Sequence, residues 1–115
     1  MKKILMITTG GTIASKKSQH GLTPGITAEE LLTYIPQVQE ICHVDTLALF
    51  NLDSTNMTPK HWLKLAHTIE EKYTIYDGFV ICHGTDTLAY TAAALSYLIQ
   101  NSAKPIVLTG SQKPI

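Results

Sequence analysis

Short apolar runs recur along the chain and are separated by longer stretches of mixed character. Four runs predict strands, at residues 4–7, 44–52, 78–82 and 105–108. Three of them are almost wholly apolar, which is typical of strands buried on both faces of a parallel sheet, and the run at 44–52 alternates. We therefore expect a parallel sheet that is covered on both of its faces.

The polar stretch after the first strand predicts a loop followed by a helix. Residues 15–25 contain two Lys, two Ser, Gln, two Gly and a Pro, and we expect a mobile loop there. The capping-box pattern Thr27-x-x-Glu30 predicts a first helix over residues 28–35, which ends before Pro36.

Two further helices follow from apolar residues at helical spacing. Thr58-Pro59 predicts the start of the second helix, because Thr is a preferred N-cap and Pro suits the first helical position. We expect Trp62 and Tyr73, on the apolar stripe of that helix, to lie in the core. The apolar positions of the second and third helices are Trp62, Leu65, Ala66, Ile69, Tyr73 and then Leu88, Ala92, Leu95, Ile99.

The predicted element order is βαβαβαβ, which indicates an α/β fold. Strands that alternate with amphipathic helices form a doubly wound parallel sheet with helices on both faces. Only residues 110–115 follow the fourth strand, so no helix is predicted to cover that edge. We therefore expect this segment to be part of a larger domain.

Composition narrows the classes of function. Nine Lys plus Arg balance nine Asp plus Glu, so there is no net charge to attract nucleic acid or an anionic membrane. Four apolar residues after Met1-Lys2-Lys3 are too few for a signal peptide, and no run approaches the ~20 residues of a membrane helix. We expect a cytoplasmic protein with neither nucleic-acid nor membrane partners.

Cysteine and histidine spacings predict no metal site. Cys42 and Cys82 stand alone, and we expect both to be buried free thiols. The histidines form no ligand motif. His83 ends the third strand, where we expect it to pack or to form hydrogen bonds.

Three polar clusters follow the first three strands. They are Thr8-Thr9-Gly10-Gly11-Thr12, Asp53-Ser54-Thr55-Asn56 and His83-Gly84-Thr85-Asp86-Thr87. In an open parallel sheet, ligands bind beyond the carboxyl ends of the strands, where the strand order reverses. With the order 2-1-3-4, the first and third clusters face each other across that point. We therefore expect all three clusters to line one pocket.

The first cluster combines an oxyanion site with a hydroxyl. Gly10-Gly11 lets the backbone approach a ligand and offers N–H groups to developing negative charge, while Thr12 offers a nucleophile. Acyl transfer requires both. The alternative is a tight turn in which Thr12 bonds locally. A phosphate-binding loop has less support, because Ser15 stands where the P-loop spacing from Gly10 requires glycine.

The other two clusters offer groups that suit an amino acid. Asp86 is placed to accept a ligand ammonium and Thr85 offers a hydroxyl, although both residue types also cap helices. Ser54 and Thr55 are able to donate to a ligand carboxylate, although they also suit the turn before the second helix.

Two long and specific motifs carry a family resemblance. TTGGTIAS at residues 8–15 and YDGFVICHGTDT at residues 76–87 resemble the two signatures of bacterial-type L-asparaginases. The resemblance continues through residues 53–57 and 104–112, so it covers essentially the whole chain. It is greatest to the cytoplasmic, type I branch.

The resemblance implies hydrolysis of L-asparagine to L-aspartate and ammonia by a threonine nucleophile, without a cofactor. Thr12 would attack the side-chain amide, and Thr85 with Asp86 would belong to the second catalytic group. Asp86 would also hold the α-ammonium, while Ser54 and Thr55 would hold the α-carboxylate. The implied substrate-binding residues are Gly11, Ser54, Thr55, Thr85 and Asp86.

Family members are several-fold longer than this chain. The resemblance therefore implies that residues 1–115 are the N-terminal part of the N-terminal catalytic domain, with a catalytic lysine and a C-terminal domain beyond Ile115. It also implies a homo-oligomer, a dimer or a tetramer, whose active site borrows residues from a neighbouring subunit. Because Thr12, Thr85 and Asp86 include no evident base, we expect the 115-residue chain alone to be inactive.

One departure and two other functions stay open. Many family members carry a tyrosine in the loop that here contains Leu22, so the activation of Thr12 is not settled by the sequence. The pocket is also compatible with a catalytically silent amino-acid-binding module. A phosphate- or nucleotide-binding domain rests only on the fold and the glycine pair.

Overall fold

The computed structural model describes residues 1–10, 15–18, 21–24, 33, 36–52 and 54–110. The elements in these ranges are β1 (Lys3–Gly10), β2 (Ser15–Ser18), β3 (Gly21–Pro24), α1 (Val38–Ile41), β4 (His43–Leu52), a 3₁₀ turn (Ser54–Asn56), α2 (Pro59–Lys72), β5 (Gly78–Cys82), α3 (Leu88–Leu98) and β6 (Ile106–Thr109).

A parallel four-stranded sheet organises the fold, in the order β4-β1-β5-β6. The register places Leu5 beside Asp45 on one side and Phe79 on the other. The predicted α/β class and the strand order 2-1-3-4 are therefore confirmed. β1 is a central strand of the sheet, with β4 on one side and β5 on the other. This position suits its apolar run, because a central strand can be buried on both faces.

The core lies between one face of the sheet and the helices α2 and α3. Leu5 and Ile7 of β1 point to the same face as Phe79 and Ile81 of β5, and all four are almost completely buried. Four apolar helix residues complete this cluster, namely Leu65, Ala66, Ile69 and Leu95, together with Tyr76. Burial of such side chains stabilises the fold by about 1.5–3 kcal/mol each.

The opposite face of β1 is also buried. Met6 and Thr8 alternate with the core residues, and they are 9% and 3% exposed. The prediction that both faces of the central strand are covered is therefore confirmed.

Helix α2 begins where the sequence predicts. Pro59 is the first helical residue, and the backbone N–H of Thr58 donates to Nδ1 of His61 at 3.0 Å. This bond provides the return contact of a capping box, a role usually taken by Glu or Gln. Trp62 and Tyr73 are only half-buried, so the expectation that both lie in the core is wrong for Trp62, whereas Tyr73 packs against the core from its margin. Both side chains also form hydrogen bonds, which accounts for their place at the margin of the core.

The segment between β1 and β4 differs most from its prediction. Within residues 15–25, predicted as a loop, β2 and β3 pair antiparallel, with Ser15 beside Pro24 and Ser18 beside Gly21. Pairing of backbone groups needs no apolar pattern, so the polar composition gave no sign of these strands. The helix predicted over residues 28–35 lies outside the described residues apart from Thr33. Helix α1 is additional, and one turn is too short for a periodic signal.

The cysteines are both free, as predicted, but only one of them is buried. Cys82 is buried at the end of β5, whereas Cys42 is half-buried beside α1. Cys42 ends a short surface helix in which no residue is buried, so its surroundings do not enclose it.

Candidate active site

The carboxyl ends of β4, β1 and β5 meet at one edge of the sheet. Gly10 is paired with Leu52 of β4, and Thr8 is paired with Cys82 of β5. The segments that leave these strands therefore emerge side by side, with the end of β1 between the other two. This is the edge at which an open parallel sheet binds its ligand.

Gly10 ends β1 with a backbone angle that favours glycine. Its φ is 104°, a region that residues with a Cβ rarely adopt. Gly11 and Thr12, the predicted oxyanion residue and nucleophile, follow directly and lie outside the described residues. The described backbone thus leads the chain out of the central strand at the predicted place.

Thr9 joins the ends of the two central strands. Its hydroxyl donates to the carbonyl oxygen of Cys82 at 2.9 Å, and its side chain is 1% exposed. Sequence reasoning placed Thr9 in the first cluster without assigning it a role. A threonine at the end of an apolar strand run is the only sequence signal for this bond, because a hydroxyl buried there needs a hydrogen-bond partner.

His83 begins the third cluster and is completely buried. Its Nδ1 lies 2.6 Å from the carbonyl oxygen of Gly84, and its Nε2 lies 2.9 Å from the Thr91 hydroxyl in α3. The indole N–H of Trp62 in α2 donates to the same hydroxyl at 2.8 Å. The expectation that His83 forms hydrogen bonds at the end of its strand is confirmed.

Burial keeps the titratable groups at this strand end uncharged. It raises the pKa of the Cys82 thiol to about 11, so the thiol stays protonated at neutral pH. It also lowers the pKa of the His83 imidazole, an effect that the bond to the Gly84 carbonyl partly opposes. Neither group is therefore suited to act as a charged nucleophile or acid at neutral pH.

Thr85 and Asp86 lie between β5 and α3, where the sequence predicts them. Thr85 is half-buried and Asp86 is exposed. The N-cap of α3 is Thr87, so neither Thr85 nor Asp86 occupies the capping position that was the alternative to a ligand role. The Asp86 side chain is therefore exposed to solvent outside the helix.

The second cluster follows β4 at the same edge of the sheet. Ser54 begins the 3₁₀ turn that leads towards α2, and Thr55 within this turn is exposed. The structure therefore brings the turn that contains Ser54 and Thr55 to the side of β1 opposite the turn of Thr85 and Asp86.

Neither a metal cluster nor a membrane span occurs in the described part of the chain. Among these residues, no three His, Cys, Asp or Glu side chains group in a way that could hold a metal ion. Within the same ranges, no helix is long and apolar enough to cross a membrane.

The sequence and the fold of this chain are similar to those of several known proteins. The chain is 44% identical to a glutamyl-tRNA(Gln) amidotransferase subunit of Pyrococcus abyssi, over 98% of this chain and 26% of that protein. It is 42% identical to the solved L-asparaginase of Thermococcus kodakarensis, with a TM-score of 0.82 over 97% of this chain and 34% of that one. For the probable cytoplasmic L-asparaginase of Campylobacter jejuni, the identity is 34% and the TM-score 0.85, over 99% and 34% of the two chains.

This chain matches only part of the length of each of these proteins. It spans about a quarter to a third of the length of the proteins that it matches. Residues 3–115 match the family described as "Asparaginase, N-terminal", which is nearly the whole sequence. The signatures at the ends of β1 and β5 and the match over these residues lead to one conclusion: the chain belongs to the asparaginase family, in its N-terminal region.

Proposed function

We propose that the complete protein that carries this chain hydrolyses L-asparagine to L-aspartate and ammonia. The observation that carries the proposal is the turn at Thr85 and Asp86, held at the carboxyl end of β5 beside the end of β1. Asp86 is exposed there and does not cap α3. Similarity to L-asparaginases supports the same conclusion.

In this proposal, Thr12 is the nucleophile and attacks the side-chain amide carbon of asparagine. The backbone N–H of Gly11 stabilises the oxyanion, and ammonia leaves as the acyl-enzyme forms. Water then attacks the ester, which releases aspartate and restores the threonine hydroxyl. Thr85 and Asp86 belong to the second catalytic group, and Asp86 holds the α-ammonium through a charge-assisted bond. Ser54 and Thr55 hold the α-carboxylate.

The position of this segment in the whole protein is part of the proposal. Residues 1–115 form the N-terminal part of the catalytic domain, and further chain supplies the base that activates Thr12. We also propose that the protein is cytoplasmic and forms a homo-oligomer, a dimer or a tetramer. The similarity to a probable cytoplasmic L-asparaginase supports the location.

Ammonia release from L-asparagine by the complete protein tests the proposal. Wild-type protein should release ammonia, Thr12→Ser should retain part of the rate, and Thr12→Ala should retain none, because water cannot replace the nucleophile. Titration calorimetry with L-aspartate measures binding separately from hydrolysis. Binding without hydrolysis by the wild-type protein would indicate an amino-acid-binding module instead.

A second candidate function has its own support. Relatives that are subunits of glutamyl-tRNA(Gln) amidotransferases match at 41–45% identity, a range that includes the 43% of an L-asparaginase. In that function, water still takes the acyl group, but the ammonia that leaves is transferred to an acceptor instead of being released to solvent. A rate of asparagine hydrolysis that rises strongly when Glu-tRNA(Gln) and a co-purifying subunit are added would favour it.

A further inference from the structure

Three hydrogen bonds link Trp62, Thr91, His83 and the Gly84 carbonyl in series. The chemical nature of each group determines which one donates the proton in each bond. The Gly84 carbonyl can only accept, so Nδ1 of His83 carries the ring proton. The indole N–H of Trp62 can only donate, so the Thr91 oxygen accepts from it. The hydroxyl proton of Thr91 is then directed to Nε2 of His83, which is unprotonated in the neutral ring. Donation runs from Trp62 through Thr91 and His83 to the Gly84 carbonyl.

The last bond of this chain fixes a peptide plane in the third cluster. The carbonyl of Gly84 and the N–H of Thr85 belong to one peptide group, and no cis peptide occurs in the described chain. In a trans peptide these two groups point in opposite directions. A carbonyl held towards the interior by His83 therefore directs the N–H of Thr85 away from it. The orientation of His83 thus sets the direction in which the chain enters Thr85 and Asp86.

The chain of hydrogen bonds also joins three separate elements. Trp62 belongs to α2, which follows the 3₁₀ turn of the second cluster, whereas Thr91 belongs to α3 and His83 follows β5. Thr91 and His83 are both completely buried. Hydrogen bonds with no competing water hold their geometry more firmly than exposed ones.

We propose that Trp62, Thr91 and His83 form a positioning network that aligns Thr85 and Asp86 with the substrate. The inference rests on the proposed hydrolysis of asparagine and goes beyond it, because none of the three residues touches substrate in that mechanism. His83 acts through the Gly84 peptide and not as an acid or a base. A purely structural network would contribute to the stability of the protein without affecting the rate of hydrolysis.

Substitution of Thr91 separates these two roles. Thr91→Val in the complete protein keeps the volume but leaves the Trp62 donor and the His83 acceptor without their partner, whereas Thr91→Ser restores the hydroxyl. We expect Thr91→Val to lower kcat/KM for L-asparagine by at least about tenfold, since small displacements of reacting groups are costly. Thr91→Ser should recover most of that loss.

Thr68 provides the matched control for this experiment. Thr68 is 8% exposed, and its hydroxyl donates to the carbonyl of Lys64 within α2, away from the third cluster. Thr68→Val leaves the Lys64 carbonyl with its helical hydrogen bond, so it should lower the melting temperature less than Thr91→Val and leave kcat/KM unchanged. Equal kcat/KM in the two Val variants, in an active wild-type background, would overturn the proposal.

Two substitutions of His83 identify which nitrogen matters. The side-chain amide of Asn reaches the position of Nδ1 and is able to donate to the Gly84 carbonyl, whereas the amide of Gln reaches the position of Nε2. We expect His83→Asn to retain several-fold more of the wild-type kcat/KM than His83→Gln. The reverse order would contradict control through the Gly84 peptide.

The outcomes separate this inference from the proposed function. A wild-type protein that releases no ammonia from L-asparagine refutes the function, and the network proposal fails with it. If the wild type is active but the Thr91 and His83 variants change only the melting temperature, the function stands and the positioning role is refuted. Calorimetry with L-aspartate adds a readout, because a displaced Asp86 should also weaken aspartate binding.

Discussion

Gly110 lies so close to His83 that a Cβ at residue 110 would be 2.5 Å from the His83 carbonyl oxygen. Real Cβ atoms do not approach a backbone oxygen this closely, so the segment after β6 and the strand end of β5 pack without room for a side chain. The same Cβ would lie 3.1 Å from Leu88 and 3.4 Å from Thr85. The backbone of the third cluster is therefore constrained from the side of β6 as well as by the hydrogen bonds of His83.

Gly110→Ala should disturb both stability and activity. The overlap involves backbone, which cannot rotate away, so we expect a loss of about 1–3 kcal/mol in the free energy of unfolding. Because the displaced atoms precede Thr85, kcat/KM for L-asparagine should fall as well. Urea unfolding and an ammonia assay on the complete protein measure the two effects.

Gly78→Ala is the control for that substitution. A Cβ at Gly78 would meet side-chain atoms of Pro105 and Ile4 at 3.1 and 3.2 Å, and Gly78 lies at the opposite end of β5. Gly78→Ala should therefore lower the free energy of unfolding less than Gly110→Ala does, and it should leave kcat/KM for L-asparagine unchanged. A Gly110→Ala protein as stable and as active as wild type would show that the strand ends have more freedom than this packing indicates.

Asp86→Asn should reduce activity far more than stability. Asp86 is exposed and lies one residue before the Thr87 N-cap of α3, so its charge contributes at most about 1 kcal/mol through the helix dipole. Loss of a charge-assisted bond to the α-ammonium should lower transition-state stabilisation by roughly 1.5–3 kcal/mol. Glu71→Gln, which neutralises an exposed carboxylate in α2, serves as the control. Wild-type kcat/KM in Asp86→Asn would exclude the ammonium contact.

Lys104→Met should weaken the fold at the edge of the sheet remote from the site. The Lys104 ammonium donates to the carbonyl oxygens of Tyr73 and Tyr76, just beyond the end of α2, and lies 4.8 Å from the centre of the Tyr73 ring. Cations at helix C-termini are stabilising, and Met preserves only the apolar stem. We expect a loss of about 1–2 kcal/mol in unfolding free energy with unchanged kcat/KM.

Lys64→Met is the comparison for Lys104. Its ammonium lies 5.5 Å from the Phe50 ring but is exposed in the middle of α2. Exposed cation–π contacts contribute at most about 1 kcal/mol, so Lys64→Met should lower the free energy of unfolding less than Lys104→Met does. Equal midpoints of unfolding for the two variants would mean that the bonds to Tyr73 and Tyr76 contribute nothing measurable.

Acidification should destabilise the protein through His83. Burial lowers the folded-state pKa of His83 below its ordinary value of 6.5. At pH values between the folded-state pKa and about 6.5, the unfolded chain binds a proton at His83 that the folded chain does not. The free energy of unfolding therefore increases with pH across this range. The His83 contribution is complete above about pH 6.5 and is lost as the pH falls towards the folded-state pKa.

His83→Asn should flatten this dependence, because asparagine does not titrate. Urea unfolding of both proteins at a series of pH values between about 7.5 and 5 measures the slopes. Identical slopes for the wild type and His83→Asn would show that another group controls the acid sensitivity.

Local patterns were sufficient to predict the sheet and the start of α2. The apolar run predicted as the third strand coincides with β5, Gly78–Cys82, and Thr58-Pro59 does begin a helix. These signals depend on neighbours in sequence, namely strand composition, N-cap preference and the fixed φ of proline. The positions of Thr85 and Asp86 were predictable for the same reason, since the carboxyl end of a strand is a local feature.

The contacts that hold the site together were beyond such reasoning. The bond between Trp62 and Thr91 joins residues 29 positions apart, and the approach of Gly110 to His83 depends on the packing of two strands. Nothing in the neighbouring sequence distinguishes Thr91 from the other threonines. Tertiary packing decides these contacts, and the half-buried position of Trp62 was mispredicted because its apolar spacing resembles that of a core residue.

The central position of β1 also determines when the sheet can be completed during synthesis. The ribosome makes β1 before its neighbours, yet the bond from Thr9 to Cys82 joins residues 73 positions apart. Until β5 has emerged, an apolar strand is left without its partner, a state that invites chaperone binding or aggregation. Nascent chains stalled before residue 82 should therefore be far more sensitive to protease than chains in which β5 and β6 have left the exit tunnel. The strand that leads into the proposed nucleophile is thus translated before both of its neighbours and gains its second neighbour only when β5 has been made.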